Sequence, residues 1–423
     1  MDCRLCLTLI PDPVYFKNNM LKQKTQKSVT LIVVALLFLP CLLKAQDPYF
    51  SQFYANRVYL NPAYAGFDPG TTLTVNYRDQ WFGVPDGDAS TFLDSYRTFN
   101  VTAGFQMPCL LNLEDINLGT AISVFSDAAG GAPMRTLGAA FAVSHEQPLV
   151  RAGIKSTSKL KRLDLRLGAQ FGFMQKQLRG DYFIYSDFLD PVGGLITAPA
   201  VLNLSSGLYP SLNAGVMLRG RLSASNYKET LFTAGLSFSN VNQPVEELMD
   251  GAGGFTIPAR ITFHAGTTHK ITSFKGIQAP TYIAPQFRWD TQADFRLNLQ
   301  TIGAYVFSKA YYTGLFVQFP FGDHEGDAAT FSPVLNRNTV ALILNAGIDM
   351  AALTDAGKPW RKRRSGVTLG FTYDINLSGL TSATTLGVIE VNLRANLNNE
   401  RKRQPCAALG KFELYDGKCP VRF

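Results

Sequence analysis

The chain has 423 residues, 46% hydrophobic, 12% aromatic and only 17% charged, with 36 Gly, 22 Pro and 30 Phe. Charge falls below the roughly 25% of ordinary globular chains; a mean hydropathy of +0.02 excludes a helical membrane protein with many spans, and the apolar content excludes disorder. Half of the net charge of +8 belongs to the first 45 residues. Six basic and two acidic side chains there leave 34 basic and 30 acidic residues in the remainder, with no basic stripe of the kind a nucleic-acid groove needs.

In chain order, the first predicted element is a leader. Residues 29–43 form the long apolar run, preceded by Lys22, Lys24 and Lys27 and followed by Lys44-Ala45. This is the pattern of a secretory signal, and the run is short of the ~20 residues a spanning helix needs. Cleavage is expected after Ala45, leaving Gln46 as the first mature residue, with Met20 as the expected true start. Removal of residues 1–45 takes away Cys3, Cys6 and Cys41 and leaves Cys109, Cys406 and Cys419. In an exported chain Cys406 and Cys419 can close a disulfide loop or stand as two free thiols, because spacing does not decide connectivity.

Residues 46–70 follow as an aromatic segment carrying Phe50, Phe53, Tyr54, Tyr59 and Tyr64. It precedes the first alternating stretch, and is read either as a plug inside a lumen or as cover for a periplasmic rim. It is expected to be ordered, because so many exposed aromatics invite aggregation.

From residue 71 the pattern has a period of two. In 163–175, Leu163, Leu165, Leu167, Phe171 and Phe173 share one face, while Asp164, Arg166 and Gln170 share the other. Phe99, Val101 and Phe105 alternate with Asn100, Thr102 and Gly104, and Ile389, Val391 and Leu393 with Glu390, Asn392 and Arg394. Two-faced segments of about ten residues are the signature of an outer-membrane barrel. Soluble sandwiches commonly use strands of about 5–6 residues. The reading is therefore all-β: an antiparallel transmembrane barrel of about fourteen strands over 71–397, at 71–78, 97–107, 117–125, 135–144, 163–176, 211–220, 230–240, 260–269, 282–290, 295–307, 310–319, 339–349, 366–374 and 387–397. A C-terminal tail, 398–423, follows. An even count puts both termini on the periplasmic side. The long connections 79–96, 177–210, 241–259 and 320–338 follow odd-numbered strands and are expected outside the cell, while 145–162 and 350–365, also lengthy, fall on the periplasmic side.

Nothing in the pattern reads as catalysis. His264 and His269, five apart on one strand, point to opposite faces and cannot share a metal. Asp323-His324-Glu325 lacks the further ligands and closing Glu of a calcium loop. There is no Gly-x-Ser-x-Gly elbow and no phosphate loop, so the expectation is no enzyme, no metal and no cofactor. Two basic clusters, Arg361-Lys362-Arg363-Arg364 and Arg401-Lys402-Arg403, fall on the expected periplasmic side, where they suit anionic lipid headgroups or an acidic partner. Trp81, Phe82, Tyr182, Phe183 and Tyr185 are candidate partner-binding anchors on the external connections, since aromatics dominate interface hot spots.

Several stretches resemble one family. The mature start from Gln46, Asp47 and Pro48 through Asn61 and Pro62 to Gly66 is similar to the opening of PorP/SprF outer-membrane proteins of the type IX secretion system. So is Tyr77-Arg78-Asp79-Gln80-Trp81, and Ser365–Leu380 resembles that family's penultimate strand. Cys419-Pro420-Val421-Arg422-Phe423 is similar to a Cys-Pro-Arg-Phe ending with Val421 inserted, and Arg57-Val58 stands where the family commonly has Pro-Leu. The resemblance implies a non-enzymatic barrel of the secretion and gliding machinery. Such a barrel anchors or helps export a large adhesin or enzyme through its C-terminal sorting domain, and contacts periplasmic, peptidoglycan-linked components. A general pore or hydrophobic-solute transporter is the alternative.

Overall fold

The structure is a computed structural model, and it describes residues 49–68, 70–82, 95–108, 117–129, 134–151, 159–179, 189–190, 194–195, 203–225, 228–248, 254–271, 281–292, 297–308, 310–320, 341–350, 365–377 and 386–397. The chain divides into two compact units, 1–42 and 43–423. The first lies outside the described residues, so the fold below is that of the second.

Among the described residues, fourteen long strands form one antiparallel sheet. They are β1 (Thr71–Gln80), β2 (Tyr96–Pro108), β3 (Asn117–Ala129), β4 (Met134–Arg151), β5 (Leu160–Arg179), β6 (Tyr209–Ser225) and β7 (Lys228–Ser239). The second half holds β8 (Arg260–Ile271), β9 (Thr281–Gln292), β10 (Leu297–Ser308), β11 (Tyr311–Pro320), β12 (Ala341–Asp349), β13 (Ser365–Asn376) and β14 (Val388–Leu397). Each pairs with its chain neighbours, and β1 pairs with β14 as well, Val75 opposite Leu393, so the sheet closes. Closure leaves no unpaired edge and satisfies the backbone within the wall, which is what a lipid environment requires. No described helix is long and apolar enough to cross a membrane. All fourteen strands coincide with the predicted segments; the alternation that predicts them is the one that buries one face and not the other.

That alternation is visible in β5. Leu167, Phe171 and Phe173 are 51%, 43% and 48% exposed and face outward, whereas Asp164 and Arg166 are buried inside. Thr98, Asn100 and Thr102 in β2 and Glu390, Asn392 and Arg394 in β14 are likewise interior. An apolar outer belt with a polar interior is the reverse of a soluble barrel and fits a bilayer.

Because successive strands reverse direction, the connections after odd-numbered strands share one end. Four long ones, 81–95, 180–208, 240–259 and 321–340, join strands there, while 350–364, as long as the first of these, joins strands at the opposite, terminal end, which Gly70 and Leu397 mark. Short pairs decorate the long connections: Leu189–Asp190 with Gly194–Leu195, Val245–Glu246 with Phe255–Thr256, and Asn203–Ser205 against the end of β5.

Residues 49–68 lie inside the closed sheet. A single helical turn, α1 (Arg57–Leu60), is followed by a 3-10 turn at Pro62–Tyr64. Asn61 makes this junction. Its backbone is extended, as a residue before proline prefers, and its side-chain oxygen accepts from the Ala63 N–H at 2.9 Å. Pro62 occupies the first helical position, where a missing N–H costs nothing.

Candidate functional site

The interior is the most highly organised part of the molecule. On the β9–β12 side it is apolar: Phe53, Tyr54 and Leu60 pack with Ala284, Tyr305, Tyr312, Phe316 and Ile343. The Tyr54 and Tyr305 rings stand 4.4 Å apart, edge to face, a favoured aromatic geometry. A protein core therefore sits where a porin would hold water.

Near the long-connection end a charged cluster grips the start of the segment. The Glu390 carboxylate accepts from the backbone N–H groups of Ser51 and Gln52 at 2.8 and 3.1 Å. The Ser51 hydroxyl donates to Asp374, and Arg78 lies 4.0 Å from Glu390. Arg288 donates to the Phe50 carbonyl at 3.0 Å and to Asp290, with its guanidinium 4.2 Å from the Tyr49 ring centroid. Tyr49 in turn bonds Thr301 at 2.8 Å.

At mid-height Asn61 reaches the wall: its amide donates to the carbonyls of Val216 and Leu236 and contacts His264 Nε2 at 3.1 Å. Nearer the terminal end, Arg166 donates to the Ala63 and Ala65 carbonyls at 2.9 and 2.8 Å, and to Glu146 at 2.5 Å. Glu146 also takes Arg162 at 2.8 Å. Asp68 is shared by Arg57 and Arg394. The segment starts at Tyr49 near the long-connection end and leaves at the other, bonded along its course, so the first described residue and the end of β14 lie at opposite ends of the barrel and not at one end as the even strand count implies. Two wall positions are glycine because the segment backbone lies against them: a Cβ at Gly168 would overlap Ala63, and one at Gly119 would overlap the Ala65 carbonyl.

The residues singled out from sequence distribute unevenly. Asn61 and Pro62 form the junction just described. Tyr77 faces outward with its hydroxyl on Asp79 at 3.0 Å, whereas Arg78 faces inward. Gln80 ends β1, opposite Val388 and Tyr96. Trp81 is buried, 8% exposed, its ring edge-on to Tyr96 at 5.2 Å, and it holds a left-handed φ of 65°. It caps the end of the sheet instead of standing out from a loop, and Phe82 beside it is half-buried. Gln46, Asp47, Pro48, Tyr182, Phe183, Tyr185, Arg361, Lys362, Arg363, Arg364, Cys406 and Cys419 lie outside the described residues. His264 is interior and His269, bonded to Thr230, is on the other face. Among the described residues no group of three or more His, Cys, Asp or Glu is placed to hold a metal.

Sequence reasoning did not find the residues that hold the segment, Glu146, Arg288, Asp290 and Asp374. The available signal was a charged residue at an inward position of an alternating strand, which flags the position without naming its partner.

A family model described as "Type IX secretion system membrane protein PorP/SprF" matches residues 42–395. No curated protein matches the chain. Similar solved structures include a Pseudomonas aeruginosa FadL homologue, 12% identical with a TM-score of 0.38, covering 81% of this chain and 94% of that one. The translocator domain of the autotransporter NalP from Neisseria meningitidis is 7% identical at 0.36, with 78% and 88% covered. The Ralstonia pickettii toluene transporter TbuX is 10% identical at 0.35, with 81% and 92% covered. Likeness at that level says nothing about what this chain carries or binds.

Proposed function

Since the chain belongs to the PorP/SprF family of type IX secretion system membrane proteins, we propose that it is a non-enzymatic outer-membrane anchor. It holds a large secreted surface protein, or assists its export, through that protein's C-terminal sorting domain. The end with the long connections faces outside and presents the surface on which the secreted protein rests. The terminal end, where β14 finishes, faces the periplasm and meets peptidoglycan-linked secretion components, with the basic run Arg361–Arg364 on the same side.

One observation carries the choice of anchor over conduit: residues 49–68 run through the lumen along its height and are bonded to the wall at both ends. A general pore or solute transporter needs that space. An anchor needs a rigid rim, which a filled barrel supplies.

The test is replacement of residues 181–201 by a short Gly-Ser linker, which leaves β5 and the Asn203–Ser205 pairing intact. The barrel should still insert into the outer membrane, and the secreted partner should no longer be retained at the cell surface. Undiminished secretion and retention would exclude docking through this connection.

A further inference from the structure

On the side of the lumen away from the aromatic core, the inner segment leaves a chamber between Tyr59 and the inward faces of β2–β8, at the end that carries the long connections. Much of its wall is uncharged amide and hydroxyl: Asn100, Ser123, Gln170, Ser211, Asn213 and Asn240. These groups fix one another. Gln170 donates to Ser123 at 3.3 Å and accepts from Asn213 at 3.0 Å. The Ser211 hydroxyl donates to the Asn240 side-chain oxygen at 2.7 Å, and the Asn240 backbone N–H donates to Asn213 at 2.8 Å. Asn240 holds a left-handed φ of 53° at the chamber's edge, a conformation asparagine tolerates better than most residues.

The charged side chains around the chamber are engaged by the protein itself. Lys176 lies 2.8 Å from Glu246, and Asp127 accepts from Thr98 at 2.6 Å. Arg260 stands 5.1 Å from the Tyr59 ring centroid and donates to Ser239 at 3.4 Å. Asn100 is different. It is 2% exposed, and its side-chain oxygen accepts from Thr102 at 3.1 Å, while its amide nitrogen donates to no group among the described residues. A buried donor without an acceptor is costly.

These features define an occupant. Charges held by their own partners do not select an ion. The wall strands β2–β7 are each paired on both sides, so they offer no free edge to a peptide backbone. What remains is a set of fixed amides, a group type that both donates and accepts, beside the aromatic surfaces of Tyr59 and Phe125. A neutral sugar matches this: its neighbouring hydroxyls give and accept hydrogen bonds, and the C–H face of its ring suits an aromatic surface. We propose that the chamber binds a short uncharged saccharide through Asn100, Gln170 and Asn213. The site goes beyond the anchoring role and does not depend on it.

Calorimetric titration of the purified full chain, in a detergent without a sugar headgroup, tests this with maltose, cellobiose and diacetylchitobiose. Digalacturonate, a charged disaccharide, and tetraglycine, which has amides and no sugar ring, serve as controls. At least one of the neutral disaccharides should bind saturably, with both controls about tenfold weaker or more. Gln170→Leu should weaken that binding about tenfold, as expected for one lost hydrogen bond. Thr136→Phe, which alters no charge and fills part of the chamber, should abolish it. Absence of saturable heat from all three neutral disaccharides would overturn the proposal. So would equal binding of either control, or full affinity in both Gln170→Leu and Thr136→Phe. Comparison of the ligands on the unaltered chain decides the matter even where a variant fails to fold.

Discussion

At the residue scale, the direction a side chain faces determines the effect of changing it. Leu167 points to the outside of β5, and Gln170, three positions on, points inside, where its amide donates to Ser123 at 3.3 Å and its oxygen accepts from Asn213 at 3.0 Å. A cation on the lipid face near mid-membrane costs about 2–4 kcal/mol in barrels of this kind, while interior changes are far milder. Leu167→Arg should therefore lower unfolding stability by about that amount, read from urea titration in lipid vesicles. Gln170→Arg should fall within the smaller range typical of tolerated substitutions. Equal loss at both positions would contradict the facing seen here. Trp81 illustrates the opposite difficulty: an aromatic just past a strand reads as a loop anchor. A left-handed backbone at that residue turns the ring back onto Tyr96.

At the element scale, the inner segment and the wall are made for each other. Val58 and Ala65 pack on Ala121 and Ala142, all small or short at the contact. The turn at Pro62–Tyr64 lies so close to β5 that Gly168 has no room for a side chain. Gly168→Val cannot be absorbed by a flexible neighbour, because the obstructing atoms are backbone. This variant should unseat the turn while the wall strands, hydrogen-bonded to one another, persist. Limited proteolysis read by mass spectrometry should show new cleavage within 49–68, with β-sheet content by circular dichroism unchanged. Continued protection of the segment would mean that it does not rely on that contact.

At the scale of the whole molecule, a fourteen-strand barrel is wide enough to leave an interior that something must fill. Water fills it in porins; here a folded length of the same chain does, with its own aromatic core and its own ion pairs. The intact protein in a planar lipid bilayer should accordingly show no steady ionic conductance. Regular channel steps would mean that the segment leaves the lumen, and would favour the pore reading over the anchor.

The strands, their number and the face each side chain takes were all legible from the alternation, because a period of two is a local property that each strand carries by itself. Membership of the family was legible as well, from the stretches Gln46–Gly66 and Tyr77–Trp81. The place of the aromatic segment was not. A lumen exists only once β1 has met β14, so a reading of residues 49–68 alone leaves the inside and the rim equally open. Nor could pairing be read for Ser51 with Glu390, 339 positions apart, or for Asp68 with Arg394, 326 positions apart. Each such contact joins groups that come within reach only after the sheet has closed, and only the tertiary structure decides which inward charge meets which.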